Sequence, residues 1–171
     1  MTEATIVNFP GTRDPAVALI GAVQHLSVSE SKVLVGLVAF DDFANPWEAA
    51  IWSAAVRLID TGEQPDPVLL LQAIREVGEI AEANKLQEIS KHIIYAYERC
   101  PHPRSAMRYA AAVVEDKYRR EIAKHGQRLE QIADIESIDE LDVTMALWLD
   151  DLRALRKRLT DTRAQSLGGA L

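Results

Sequence analysis

The sequence predicts an all-α protein, a small helical globular module followed by a long antiparallel helical hairpin. Three observations predict it. No segment alternates apolar and polar residues with the period of two that a strand requires. The pairs Asp14-Pro15, Asn45-Pro46 and Asp66-Pro67 each set a short polar N-cap before a proline at the first helical position. From Ser105 to about Asp134 there is no proline and the only glycine is Gly126, while apolar residues recur at spacings of three and four. At 171 residues and 48% hydrophobic content the chain has material for one domain with a core.

The first helix opens at Asp14-Pro15 and runs through Leu19, Ile20, Val23 and Leu26, with Gly21 placed where another helix approaches closely. Residues 1–13 read as a flexible N-terminal arm broken by Pro10-Gly11. Ser27-Val28-Ser29-Glu30 is a capping box for a second helix, with Val33, Leu34, Leu37 and Val38 facing inward. The third helix starts at Asn45-Pro46, with Glu48 three residues on to complete a capping box, and ends at Gly62. Ile51, Ala55, Leu58 and Ile59 give its inward stripe, and Trp47 and Trp52 add large apolar area. The fourth opens at Asp66-Pro67, carries Val68, Leu70, Leu71 and Ile74, and stops near Gly78. Residues 79–84 extend it or form a turn. Asn84, with Gln87 three residues later, caps a fifth helix that buries Leu86, Ile89, Ile93, Ile94 and Tyr97. Cys100-Pro101-His102-Pro103 ends it, closing a module over 14–104.

The hairpin spans 105–163. In its first helix Met107, Ala111, Val114, Tyr118, Ile122, His125, Leu129 and Ile132 form the stripe, with a stutter near Tyr118. At about 1.5 Å per residue this rod is roughly 40 Å long, more than a small globule needs. Ser137 and Glu140 cap the second helix, whose stripe Leu141, Met145, Trp148, Leu152, Leu155 and Leu159 keeps a strict heptad. Residues 164–171 read as a tail or the start of a linker.

Composition and motif search narrow the function. A net charge of −7 argues against nucleic-acid binding as the main business. No apolar run is long enough to span a bilayer, no signal peptide is visible, and the single Cys100 fits a reducing compartment, so a cytoplasmic location is expected. There is no P-loop, dinucleotide fingerprint or nucleophile elbow. His25, His92, His102 and His125 lack ligand spacing. No catalytic residue, cofactor or metal is therefore assigned.

Two hairpin features stand out. Its turn and the start of its second helix carry Asp134, Glu136, Asp139, Glu140, Asp142, Asp150 and Asp151. Its stem carries Arg119, Arg120, Lys124, Arg128, Arg153, Arg156, Lys157 and Arg158. Two readings stand side by side: solvation with helix-dipole matching, or guidance of pairing between copies. In addition, Leu147-Trp148-Leu149 widens the apolar surface beyond one seam; it either packs back on the globular module or, the favoured reading for so long a hairpin, serves self-association. Tyr118, Ile122, Leu129, Trp148, Leu152 and Leu155 are the expected seam or pairing residues.

These residues carry a resemblance. Asp42-Phe43, Pro46, Ile51-Trp52, Ala54, Leu58, Gly62, Pro65 and Asp66 resemble the central motif of the N-terminal domain of DnaB-type replicative helicases. Ala18 to Val23, with Gly21, is similar to its first-helix signature, and Tyr109-Ala110, Val113 and Glu115, followed by Arg119-Arg120, to the segment leading into its hairpin. The likeness covers about residues 14–160. The chain departs from the pattern at Ala16, Ala44 and Glu48, where an acid, an aromatic and a histidine are usual, and the family's ATPase domain is not present. The resemblance implies a non-catalytic scaffold: hairpins pair, domains form a homodimer or higher oligomer, and primase or a helicase loader docks. An alternative is a stand-alone phage or mobile-element regulator that binds a host helicase or primase. Neither a membrane nor strong direct nucleic-acid binding is expected.

Overall fold

Seven α-helices follow one another in the computed structural model, which describes residues 14–78 and 83–168, and among these residues there is no strand. They are α1 (Pro15–His25), α2 (Val28–Val35), α3 (Pro46–Thr61), α4 (Pro67–Val77), α5 (Ala83–Arg99), α6 (Ala106–Ile132) and α7 (Ile138–Gly168). Short 3-10 turns at Phe40–Asp42 and Pro103–Ser105 precede α3 and α6. The expected N-terminal arm, residues 79–82 and the last three residues lie outside the described residues.

Caps decide where these helices begin and end. The Asp14 carboxylate accepts the Ala16 N–H at 2.9 Å, and Asp66 accepts those of Val68 and Leu69 at 2.7 and 2.9 Å. Ser27 and Glu30 close a full capping box. Gly62 and Gly78 end α3 and α4 with φ of 84° and 71°, where a side chain would be strained. Asn45 also caps as expected, accepting the Trp47 N–H at 2.9 Å. Glu48, however, does not complete a box there. It turns inward, with only 4% of its surface exposed, and accepts from His92 Nε2 on α5 at 3.3 Å.

The core is built from α1, α3, the inner faces of α4 and α5, and the first turns of α6. Leu19, Ile20, Val23, Ile51, Trp52, Ile59, Leu70, Ile89 and Ile93 are sealed within it. Burying side chains of this size is the main favourable contribution to folding, roughly 1.5–3 kcal/mol each. Three stripes differ from their sequence reading. Val33 and Val68 are exposed. On α5, Ile94 and Tyr97 face out while Ala96 faces in. The cause is Gly21: a Cβ there would stand 2.2 Å from the Ala96 carbonyl oxygen, so α1 and α5 touch backbone to backbone. That contact turns the small Ala96 inward and the larger neighbours out. Asn84 lies inside α5 rather than capping it.

Candidate functional site

Contacts between α6 and α7 run in opposite sequence order, which defines an antiparallel hairpin. Glu115 pairs with Arg163 at 2.6 Å, the Arg156 guanidinium lies 5.9 Å from the Tyr118 ring centre, and His125 stacks on Trp148 at 4.8 Å. Ser137 and Glu140 form the expected capping box at the start of α7, with the Ser137 N–H donating to Glu140 at 2.9 Å. The last turns of α7 do not fray at 164. Arg163 reaches Glu115, Thr162 is buried, and the helix continues to Gly168. Paired first with Arg119 and then with Arg163, Glu115 is held below the ordinary carboxylate range.

The expected pairing residues separate into two groups. Tyr118, Leu129, Trp148, Leu152 and Leu155 are half-buried on the hairpin. Leu155 also packs against the globule's core, and Leu159 is sealed in it. Trp148, flat against His125, belongs to the contact between α6 and α7. Ile122 is 46% exposed. Outside the stripe, Val143 is 62% exposed, Leu147 63% and Leu149 51%.

These exposed groups occupy two sides of the hairpin. Val143 and Leu147 are one turn apart, and continue along α7 through Asp151, Ala154 and Arg158, which line an open groove of about 490 Å³ with Lys117 and Glu121 of α6. Leu149 is about 200° round the helix from Leu147 at 3.6 residues per turn. It shares the side of Arg156 and Tyr118, where Ile122 lies one turn beyond Tyr118 on α6. Between Ile122 and Glu130 on this side sits Gly126, whose missing Cβ would meet nothing within 4 Å.

Half of the eight stem cations are matched locally by carboxylates: Arg119 with Glu115, Lys124 with Glu121, Arg153 with Asp150, and Lys157 with Asp161. Two others reach the globule. Arg158 donates to the Asp42 carboxylate, and Arg120 donates to the Asp42 backbone carbonyl. Lys117 lies 3.4 Å from Asp41 and 2.9 Å from Glu121. Burial opposes the Lys117 charge, but its bond to Glu121 and the two nearby carboxylates raise its pKa overall. For Asp42 burial wins, and its carboxyl sits above the usual aspartate range despite the Ala39 N–H and Arg158.

The other motif residues have structural places. Phe43 packs on Trp52 with ring centres 5.6 Å apart, and Trp52 Nε1 donates to the Val38 carbonyl at 3.0 Å. Pro46 opens α3, Gly62 ends it, Asp66 caps α4 and Gly21 admits α5. Among the described residues no group of His, Cys, Asp or Glu could hold a metal ion, and no helix is long and apolar enough to cross a membrane. What sequence reasoning missed was the reach of Asp42 and Glu48: their partners Arg158 and His92 are remote in sequence and carry no spacing signal.

Such a module, a capped helical globule gripping the stem of a long hairpin, is an all-α domain of globule-and-hairpin type. Residues 18–115 match the family model of the DnaB-like helicase N terminal domain. The chain belongs to that family, and is a domain of replicative-helicase type. The match ends in α6, so the outer hairpin lies beyond it. No curated protein matches the chain.

Proposed function

We propose that this chain is a non-catalytic assembly domain of a replicative DNA helicase, pairing with a second copy through its hairpin and offering a surface to primase or a loader. The observation that carries this is the side bearing Ile122 and Leu149. Both are exposed, one from each helix, and the bare backbone at Gly126 allows close approach between them. Charge along this side is graded. Arg119, Arg153 and Arg156 lie toward the stem, Glu130 and Asp142 toward the tip. Two copies laid antiparallel place each basic end against the other's acidic end, a self-complementary contact of the kind a two-fold dimer requires. Tyr118 and Leu129 border the patch, while Trp148, Leu152 and Leu155 support it from the seam.

Light scattering on the purified chain at about 100 μM is expected to give twice the monomer mass. The double substitution Ile122→Glu and Leu149→Glu is expected to halve it with unchanged helical circular dichroism. A monomeric wild type, or a double variant of undiminished mass, would overturn pairing through this side. Co-purification with a helicase or primase in place of self-association would instead favour the regulator reading.

A further inference from the structure

The hairpin is fastened to the globule at one polar corner. Asp42 is the end of a single 3-10 turn, and its side chain is fully covered. One carboxylate oxygen accepts the Ala39 N–H at 2.8 Å, and the other accepts from Arg158 on α7. Its backbone carbonyl accepts from Arg120 on α6, while Lys117 reaches Asp41 next door. Both hairpin helices thus converge on two consecutive residues. The turn is braced from within by Phe43 on Trp52, and by Trp52 on the Val38 carbonyl.

The two hairpin helices are anchored unequally. α6 enters the core through Ala106, Met107, Ala110, Val113 and Val114, all buried. α7 contributes one sealed apolar side chain to that core, Leu159, with Leu155 packed partly against it. Beside Leu159 stands Arg158, whose Nε is buried without a hydrogen-bond partner. Its charge is therefore matched through the carboxylate while one covered donor goes unused, which makes the pair an under-satisfied, partly buried contact. Asp42 itself is 1% exposed, so loss of Arg158 would leave a covered carboxylate without its cation.

We propose that the Asp42–Arg158 pair is a latch that fixes the angle at which the hairpin leaves the globule, and that opening it lets α7 swing while the globule stays folded. Anything that draws Arg158 away, such as a carboxylate entering the groove it lines, would change the direction of the hairpin tip without unfolding the core.

The test is a distance distribution by pulsed electron spin resonance. Labels are placed at the exposed positions Glu63 and Asp139 in a Cys100→Ser background, diluted with unlabelled protein so that only distances within one chain are read. The wild type is expected to show one narrow distance. Asp42→Asn, which keeps an acceptor for the Ala39 N–H, and Arg158→Gln should each broaden or shift it, with helical circular dichroism unchanged. Arg158→Lys should recover much of the narrow distance. Wild-type distances in both neutralised variants would overturn the latch. So would global unfolding of both, because a latch opens with the globule intact. Carrying Ile122→Glu and Leu149→Glu on the same chains separates this outcome from any failure of pairing.

Discussion

His92 and Glu48 meet across α5 and α3, with the carboxylate almost entirely covered. The hydrogen bond to Glu48 is the strongest influence on the imidazole, and it raises the His92 pKa above its usual 6.5 against the opposing effect of burial. The folded state therefore holds this proton more tightly than the unfolded state does. The pair's contribution is complete below about pH 6.5 and is lost as pH rises through the folded value. Melting temperatures followed from acid to mildly alkaline pH should show that loss, and Glu48→Gln should remove the His92 part of it. An unchanged pH profile in Glu48→Gln would refute the assignment. Reading Glu48 as half of a capping box failed for a physical reason. His92 holds the carboxylate that a box would turn toward the Asn45 N–H, and no local spacing reports a partner on another helix.

Helices obey the sequence most closely at their ends. Asp14, Ser27, Asn45, Asp66 and Ser137 all cap as read, because a cap is satisfied within three residues of itself. Along α7 the heptad residues Leu141, Met145, Trp148, Leu152 and Leu155 are half-buried and Leu159 buried, as a sustained repeat fixes one face, whereas Ile122 in the stuttered stripe of α6 is exposed. Faces of shorter helices were less legible. Periodicity alone allowed Ile94 and Tyr97 to point inward on α5, and the packing against α1 rotated them out. That packing rests on Gly21. Gly21→Ala would force a methyl group into the Ala96 carbonyl and Cys100 Cβ, at 2.2 and 2.8 Å. The carbonyl belongs to the helical backbone of α5 and Cys100 directly follows its last residue, so α1 and α5 must separate. The expected penalty is about 1–3 kcal/mol, the range for overpacking a close-fitting core. Urea denaturation of the variant measures it, and a midpoint equal to that of wild type would show that the helices can part freely.

Across the whole molecule, charge is arranged rather than balanced. The chain carries −7, with acids gathered at the hairpin turn and bases along the stem. Arg120 and Arg158 turn inward to the globule, whereas Arg119, Arg153 and Arg156 remain on the side proposed for pairing. If two copies lie antiparallel there, their association is partly electrostatic between exposed groups. Raising salt from about 50 to about 500 mM shortens the screening length severalfold and should weaken the dimer measurably. Sedimentation equilibrium at the two salt levels provides the check. Salt-independent or salt-strengthened association would mean that apolar contact alone sets the pairing. The acidic turn and basic stem can be read from the sequence, but not which of the cations turn inward. Sequence gives the sign of each charge, but Asp42 and Arg158 become neighbours only after seven helices have packed.

The turn between α6 and α7 holds Asp134, Ile135 and Glu136 at the hairpin's far end, where Ile135 is 82% exposed. The chain can therefore be opened at this point with little harm. A foreign domain spliced between Asp134 and Glu136, or new termini cut there by circular permutation, would leave the capped helices and their core in place. The loop is a natural socket for a fluorescent or affinity cargo, carried on a rigid mast well clear of the body that supports it.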